Sequence, residues 1–199
     1  MDETLFIVMP TYNEETNIRN VVEEWYPILE NADENSRLVI ADGGSKDDTL
    51  NILYDLQKEL PKLIVISKPN TDHGTKIIFL YKYAIENGAN WIFQTDSDGQ
   101  TVAEEFTEFW NIRKCYDAVM GNRVKRGDGL VRKEVEYILR VYLKIFFGTW
   151  VPDANAPFRL MKSSVVKKYI NLMPEDFNLP NAILALSLIH ISEPTRRRG

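Results

Sequence analysis

The stretch FQTDSDGQT, from Phe93 to Thr101, ends an apolar run on two carboxylates and an amide. The segment NWIFQT, with apolar residues at its centre, predicts a buried strand that ends at the start of this stretch, so the anions directly follow that strand. Two carboxylates at alternate positions indicate either a charged surface turn or a binding site for a cation. The patterns on both sides of this stretch bear on the choice between these interpretations.

Apolar runs alternate with amphipathic stretches along the chain. Strands are predicted at TLFIVMP, RLVIADGG, KLIVIS, NWIFQT and DAVMG. Helices are predicted between them, including one at Thr75–Glu86 and one over residues 102–116. Ser45 is a candidate N-cap for the helix that follows the second strand. This alternation predicts an α/β fold, a single domain in which helices flank a mainly parallel sheet.

The bulk composition excludes some classes of function. The chain has 199 residues, of which 44% are hydrophobic and 27% charged, as expected for a soluble globular domain. Its net charge of −5 argues against a general nucleic-acid-binding protein, which would be basic. The single cysteine, Cys115, which we expect to be buried, allows no intrachain disulfide and favours a reducing compartment such as the cytoplasm. We expect neither a secretory signal nor a membrane-spanning segment, because MDETLFIVMP lacks a basic leader and the apolar runs are too short.

Polar motifs follow three of the predicted strands: PTYNE the first, DGGS the second and TDSDGQ the fourth. Because ligands bind beyond the carboxyl ends of parallel strands, we expect these motifs to lie together at a ligand site. Neither glycine-rich nucleotide fingerprint, G-x-G-x-x-G or G-x-x-x-x-G-K-[ST], is present. Asp42 could accept from the N–H edge of a nucleobase and Tyr12 could offer it a flat face. An ordinary turn and a partly buried core residue are the alternatives for these two.

The acidic motif suits a hard divalent cation. The oxygens of Asp96, Asp98 and Gln100 are of the kind that Mg²⁺, Mn²⁺ and Ca²⁺ prefer. A calcium loop of the EF-hand type does not fit, because Thr101 stands where that loop needs glycine. Since Mg²⁺ is usually held by carboxylates together with substrate phosphates, the same edge is expected to bind a nucleoside diphosphate. A solvated acidic turn remains the alternative.

Four ordered motifs carry a family resemblance: IVMPTYNEETNI, VIADGGSKDDT, QTDSDGQ and GNRVKR…R…DANAPFRLM. Together they resemble the family 2 glycosyltransferases of the GT-A fold. The later half is most similar to the branch of dolichyl-phosphate mannose synthase and the polyprenyl-phosphate glycosyltransferases. The resemblance covers about Leu5 to Leu186. It implies a Rossmann-like GT-A catalytic domain over residues 1–186, with a nucleotide-sugar-binding half at 1–121 and an acceptor-side half at 122–186.

The resemblance also implies site residues. Those expected to bind the nucleotide sugar, which would be UDP- or GDP-linked, are Pro10, Tyr12, Glu14, Asp42, Asp96 and Ser97. The metal, Mg²⁺ or Mn²⁺, is expected on Asp98 and Gln100. Arg123 is expected to contact phosphates of the donor or of a lipid acceptor.

The chain departs from the family pattern in two places. Gly43 follows Asp42 where the family often has a second aspartate, which affects the base contact implied for Asp42. The glycine-rich pattern of the family is reduced to DHGTK, which leaves the roles of His73 and Lys76 open.

The implied reaction is an inverting transfer, in which the acceptor attacks the anomeric carbon in line with the leaving diphosphate. A metal on Asp98 and the side chain of Arg123 would stabilise the charge that develops on the diphosphate. A hydroxyl acceptor, as in a cell-envelope glycan, needs a general base, for which Asp153 is the candidate. A polyprenyl phosphate is already an anion and needs mainly positioning.

A basic cluster that includes Arg123, Arg126 and Arg132 would bind such an acceptor phosphate or anionic headgroups. The apolar stretch Tyr137–Trp150 beside it could lie at the cytoplasmic face of the membrane. A solvated charged face and a core helix are the ordinary alternatives for these two features. A nucleotidyltransferase is disfavoured because PTYNEE is acidic, and a non-catalytic metal- or nucleotide-binding module remains the alternative of another class.

The last residues do not follow the patterns that precede them. The decapeptide Ser187–Arg196 resembles a translated sequencing adaptor, so residues 187–199 are expected to be artefactual. On this interpretation the chain is truncated, and the natural protein continues past about Leu186 with different residues.

Overall fold

The computed structural model describes residues 3–121, 157–174, 177 and 180–181. The predictions for the basic cluster, the candidate base, the apolar stretch and the tail therefore lie outside the described residues. These are the predictions for Arg123, Arg126, Arg132, Asp153, Tyr137–Trp150 and residues 187–199.

In the residues that the structure describes, one six-stranded sheet forms the centre of the fold. Its strands are β1 (Leu5–Thr11), β2 (Arg37–Asp42), β3 (Leu63–Ser67), β4 (Trp91–Gln94), β5 (Ala118–Met120) and β6 (Arg159–Lys162). The strand order is β3-β2-β1-β4-β6-β5, with β1 to β4 parallel and β6 antiparallel to both β4 and β5. The order turns back at β1, because β2 lies on one side of it and β4 on the other. Such a reversal leaves a crevice at the carboxyl ends of the strands.

Five α-helices cover the sheet in the described part of the chain. They are α1 (Ile18–Trp25), α2 (Thr49–Glu59), α3 (His73–Glu86), α4 (Phe106–Ile112) and α5 (Ser163–Ile170). The prediction that Ser45 caps α2 is wrong, since the helix begins at Thr49 and Asp48 is its N-cap. The helix predicted over residues 102–116 is shorter, and 3₁₀ turns flank α4 on both sides. Cys115, in the second of these turns, is exposed rather than buried.

Successive residues of each strand face opposite sides of the sheet, and both sides are buried. On one side, α1, α2 and α4 pack on a core that contains Leu5, Ile7 and Met9. Aromatic side chains dominate this core: the Phe93 ring lies 5.3 Å from the ring of Trp25 and 4.8 Å from that of Phe158. Burial of each large apolar side chain contributes roughly 1.5–3 kcal/mol.

On the other side, α3 and α5 pack on the alternate residues of the same strands, among them Phe6, Val8 and Ile92. The prediction of an α/β fold with a mainly parallel sheet flanked by helices is confirmed. In the part of the chain that the structure describes, no helix has both the length and the apolar character needed to cross a bilayer.

Candidate functional site

A concave pocket lies beyond the carboxyl ends of β1 and β4, where the strand order turns back. Its volume of about 440 Å³ is within the range of small-ligand sites. Three segments line it: the one after β1, the start of α3 and the one after β4. The lining residues are Pro10, Thr11, Tyr12, Glu14, Thr71, Asp72, His73, Lys76, Asp96, Ser97 and Asp98.

Most of the residues predicted from the sequence meet in this pocket. Pro10, Tyr12, Glu14, Asp96, Ser97 and Asp98 all line it. Among the described residues, Asp42 and Gln100 are predicted site residues that do not line it. The pocket also contains Thr71 and Asp72, for which the sequence predicts no role, together with His73 and Lys76, whose roles the sequence leaves open. Their signal in the sequence was the position of TDHGTK between a predicted strand and a predicted helix.

Hydrogen bonds join the segment after β1 to the segment after β2. We call these two segments, Tyr12–Asn17 and Gly43–Asp48, the β1–β2 side of the pocket. The bonds run from Asn13 N to Ser45 Oγ (2.9 Å), Lys46 N to Asn13 Oδ1 (2.8 Å), Glu15 N to Asp47 Oδ2 (3.1 Å) and Asp48 N to Glu15 Oε2 (2.9 Å). Asn13 has a φ of +55°, in the left-handed region that asparagine tolerates better than most residues. The two segments therefore hold each other in one conformation.

Asp42 organises the turn that follows β2. Its side chain is fully buried, and its carboxylate accepts hydrogen bonds from Gly44 N at 2.8 Å, from Ser45 N at 3.0 Å and from the Ser45 hydroxyl. A carboxylate that accepts from backbone N–H groups a few residues ahead is typical of an aspartate-initiated turn. The predicted contact between Asp42 and the base stays a prediction, with the carboxylate engaged by its own turn.

Lys76 enters the pocket from α3 and is buried. Its Nζ donates to the carbonyl oxygen of Thr11 at 2.7 Å and lies 5.7 Å from the centre of the Tyr12 ring. Tyr12 itself is 47% exposed. Burial lowers the pKa of Lys76, while the carboxylates of Asp42 and Asp72 oppose this shift. A Cβ atom placed on Gly43 would lie 2.6 Å from Nζ. The amine thus occupies the space where a side chain at position 43 would begin.

The N-terminus of α3 forms one wall of the pocket. Asp72 is the N-cap, and its Oδ1 accepts from Thr75 N at 2.8 Å, which lowers the pKa of Asp72. His73 follows at the first position of the helix. Partial desolvation in the pocket lowers the pKa of His73, opposed by the charge of Asp96, so the imidazole is neutral at pH 7.

We call the segment Asp96–Gln100 the β4 side of the pocket. Ser97 Oγ donates to the carbonyl oxygen of Pro10 at 3.0 Å, which ties the end of β4 to the end of β1. Asp98 is half-buried and accepts from Gln100 N at 3.0 Å, within its own turn. Gly99 in this turn has a φ of +72°, which favours glycine.

The β4 side offers carboxylate oxygens, the type of ligand that Mg²⁺ and Mn²⁺ prefer, and the carboxylate of Asp98 lines the pocket. The described residues contain no group of three or more His, Cys, Asp and Glu side chains arranged to hold a metal ion. The arrangement fits an ion held by one carboxylate together with ligand phosphates, since such ions take few protein ligands. Gln100 is exposed, and its predicted role as a second metal ligand stays a prediction.

A buried polar network lies beneath the end of β4. The hydroxyl of Tyr81 lies 2.6 Å from Gln94 Oε1 and 3.0 Å from Asn181 Oδ1, and Arg159 donates to the carbonyl oxygen of Asn181 at 3.0 Å. Burial raises the pKa of Tyr81, so the hydroxyl stays protonated at neutral pH. These contacts connect β4 to α3 and to β6 directly below the acidic segment.

Sequence comparison identifies the family. The sequence profile of Glycosyl transferase family 2 matches residues 6–170. The chain belongs to this family. The predicted family is therefore confirmed, on a match that includes the residues around the pocket.

Two relatives are named as glycosyltransferases of the polyprenyl-phosphate branch that the sequence resembles. UDP-N-acetylglucosamine–dolichyl-phosphate N-acetylglucosaminyltransferase of Methanococcus voltae is 27% identical over 186 residues, which are 83% of this chain and 72% of that protein. Undecaprenyl-phosphate 4-deoxy-4-formamido-L-arabinose transferase of Photorhabdus laumondii subsp. laumondii is 24% identical over 162 residues, 81% of this chain. The chain spans about half the length of the second relative, 50%.

Solved structures show the same fold at low sequence identity. S. aureus TarS 1–349 has a TM-score of 0.62 at 15% identity, over 94% of this chain and 55% of TarS 1–349. Glucosyl-3-phosphoglycerate synthase from Mycobacterium tuberculosis, in complex with Mn²⁺, UDP-glucose and phosphoglyceric acid, has a TM-score of 0.62 at 18% identity, over 83% of this chain and 58% of that chain. The predicted GT-A fold is confirmed by this likeness.

Proposed function

We propose that the chain is the catalytic part of an inverting glycosyltransferase that moves a sugar from a nucleoside diphosphate sugar to a polyprenyl phosphate at a membrane surface. The observation that carries the proposal is the pocket at the reversal of strand order, in which an aromatic ring, a lysine and an aspartate meet in a family 2 chain. The relatives whose names specify dolichyl and undecaprenyl phosphate support the choice of acceptor.

The donor would lie across the pocket with its base on the β1–β2 side and its diphosphate on the β4 side. Tyr12 presents an exposed ring against which a base can stack, and Asp98 presents a carboxylate at the opposite end. A Mg²⁺ or Mn²⁺ ion on Asp98, when bound, supplies positive charge to the leaving diphosphate. The Mn²⁺ and UDP-glucose in the complex of the structurally similar synthase support this assignment of donor and metal.

The residues of the chain would have separate roles in the transfer. Asp98 would hold the metal, while the hydrogen bond from Ser97 to Pro10 keeps its turn against β1. Arg123 would contact the phosphates, a role that suits its planar, bidentate guanidinium. A lipid phosphate is already charged and needs alignment with the anomeric carbon, so this acceptor requires no general base. Asp153 would act as a base only with a hydroxyl acceptor.

The acceptor would approach from the membrane surface. Arg126 and Arg132 add to the charge of Arg123, and each cation near an anionic surface contributes about 1 kcal/mol to association. On this proposal the enzyme works at the cytoplasmic face of the membrane, where nucleotide sugars and the lipid phosphate meet.

The proposal is tested by following diphosphate release. The protein is incubated with Mn²⁺ or Mg²⁺ and a panel of UDP- and GDP-sugars, with and without a polyprenyl phosphate in lipid vesicles. Release of UDP or GDP that requires both the metal and the lipid phosphate, together with sugar appearing on the lipid, is the expected result. Release that requires a glycan acceptor instead would contradict the lipid acceptor, and tight nucleotide binding without release on any acceptor would contradict catalysis.

A further inference from the structure

Lys76 is a buried cation at the pocket that still has hydrogen-bond donors to offer. The residue is 4% exposed, and among the described residues its Nζ has one hydrogen-bond acceptor, the carbonyl oxygen of Thr11 at 2.7 Å. An ammonium group carries three N–H donors, and a buried charge is costly unless it is paired. A ligand in the pocket can therefore take up donors that the described protein atoms leave over.

The position of Lys76 assigns it to one end of the pocket. Its Nζ contacts the last residue of β1 and lies over Gly43, just beyond the end of β2. Asp98, the candidate metal ligand, follows β4 on the opposite side of β1. Lys76 is thus at the end of the pocket that carries the exposed ring of Tyr12, away from the end proposed for the diphosphate.

We infer that Lys76 recognises the base of the donor by donating a hydrogen bond to a carbonyl oxygen on the edge of that base. The chain would then select nucleotides whose base presents such an oxygen, as uracil and guanine do, over adenine, which presents an amino group. This inference rests on the proposed function only in taking the ligand to be a nucleoside diphosphate.

The state of Asp42 supports the assignment. Its carboxylate is fully buried and accepts hydrogen bonds from Gly44 and Ser45 in its own turn. It does not line the pocket, whereas Lys76 does. Among the described residues that line the pocket, Glu14 and Asp72 are carboxylates, and Lys76 is the cation at the base end, an obligate donor. An acceptor atom on the base is what such a group can recognise.

Gly43 gives the inference a second, independent test. A Cβ on this residue would lie 2.6 Å from Lys76 Nζ and 3.2 Å from the carbonyl oxygen of Thr71. An alanine here therefore displaces the flexible end of Lys76 while leaving its charge in the protein. If the position of the amine selects the base, Gly43→Ala weakens the selection even though the lysine is present.

The experiment measures the dissociation constants of UDP, GDP and ADP by calorimetry in the presence of Mn²⁺. The variants are Lys76→Met, which keeps an unbranched side chain of similar bulk and removes the charge, and Gly43→Ala. The matched control is Lys68→Met, because Lys68 lies over the ring of Phe79 at 4.2 Å and does not line the pocket. A thermal melt of each variant establishes that it is folded.

We expect the unmodified chain to bind UDP or GDP at least tenfold more tightly than ADP. Lys76→Met should weaken the preferred nucleotide roughly tenfold to a hundredfold, as loss of a hydrogen bond from a charged group predicts, and leave ADP within about twofold. Gly43→Ala should act in the same direction by a smaller factor, and Lys68→Met should change none of the three.

Equal weakening of all three nucleotides by Lys76→Met would overturn the inference, since it would indicate a phosphate contact or a structural role. Unchanged binding in Lys76→Met would overturn it as well. If Lys76→Met does not fold, Gly43→Ala decides: retained preference in that variant contradicts the inference. Base selection without sugar transfer would contradict the proposed function but not the inference. Failure of all three nucleotides to bind would contradict both.

Discussion

The two sides of the pocket are built differently. On the β1–β2 side, cross-connecting hydrogen bonds hold two segments together, and even the carboxylate of Asp42 serves its own turn. On the β4 side, Asp98 accepts from Gln100 within its turn and otherwise faces the pocket, as far as the described residues show. One side is therefore formed before a ligand arrives, while the other offers groups that a ligand can use.

This difference follows from the chemistry of the two ends of a nucleotide. A flat base gains from a rigid surface of fixed shape, since a preorganised site loses less conformational entropy on binding. A metal and a diphosphate bring their own charges and oxygens, so the protein needs to contribute few ligands to them. Variants on the β4 side should accordingly reduce binding with little effect on folding, whereas variants on the β1–β2 side should affect both.

The largest effect is expected for Asp98→Ala. It should weaken Mn²⁺-dependent UDP binding on the order of a hundredfold or more, because loss of groups that merely support metal ligands already costs tenfold to a hundredfold. The melting temperature should change little, since Asp98 contributes one hydrogen bond within its turn. Calorimetry with and without Mn²⁺, with a thermal melt, provides the measurement.

The control for this variant is Asp117→Ala, which removes a surface ion pair with Lys162 at 2.7 Å. An exposed pair of this kind contributes about 0–1 kcal/mol to stability and has no contact with the pocket. Metal-dependent binding that survives in Asp98→Ala would mean that the acidic segment is a surface turn and would remove the contrast between the two sides.

A change at Asn13 should disturb both folding and binding. Asn13→Ala loses the hydrogen bond from Lys46 N and places a residue with a Cβ and no polar group at a φ of +55°. We expect the free energy of unfolding to fall by about 1–2 kcal/mol, measured by urea denaturation, together with weaker UDP binding. Asn13→Gly separates the two causes, since glycine adopts this φ freely. Equal losses in both variants would assign the whole effect to the hydrogen bond.

The cap of α3 should contribute a smaller amount. Asp72→Ala removes the side-chain oxygen that accepts from Thr75 N, and an N-cap of this type contributes about 1 kcal/mol to the free energy of unfolding. Asp72→Asn is the matched control, because asparagine caps as well as aspartate. Urea denaturation of the two variants gives the comparison, and a full loss in Asp72→Asn would show that the charge matters rather than the cap.

The smallest and most gradual effect is expected from pH. Because burial lowers the pKa of Lys76 below 10.5, its charge is lost earlier than in an unfolded chain as pH rises. Affinity for the preferred nucleotide should therefore be full below that lowered pKa and decline as pH rises through it. The charged or titratable groups that face the amine are Asp42, Asp72, His73 and Tyr12.

Lys76→Met retains all of those groups and lacks only the amine, so the difference between its pH profile and that of the unmodified chain belongs to Lys76. Calorimetric titrations of the preferred nucleotide from pH 7 upward give both profiles. Identical alkaline declines in the two proteins would show that the amine does not contact the ligand.

The sequence predicts the parallel part of the sheet well because β1 and β4 are buried on both faces and are nearly continuous apolar runs. It fails for β6, whose four residues begin with arginine and end with lysine. The position of β6 is set by antiparallel pairing with β4, far away in sequence, and the local pattern does not contain that information. The predicted start of α2 is wrong because the Ser45 hydroxyl donates to Asp42 and does not cap the helix. The local sequence pattern does not contain this contact.

The candidate site is predictable to the same extent. Tyr12 and Asp98 were found because they directly follow apolar strands, and the topology of a parallel sheet brings such positions together. The approach of Lys76 to Gly43 was not predictable, because it depends on the distance between a helix and a strand end. Gly43 stands where the family often has an aspartate, and the amine of Lys76 takes the space that a side chain there would need.

Gly121 and Phe158 lie next to each other in the sheet although they are far apart in sequence. Gly121 N donates to the carbonyl oxygen of Phe158 at 2.8 Å, where β5 and β6 pair side by side. Loop-closure entropy changes by only about 0.6 kcal/mol per doubling of the length of the chain that connects two such points. The length of chain between Gly121 and Phe158 can therefore change in evolution at little cost to the stability of the sheet.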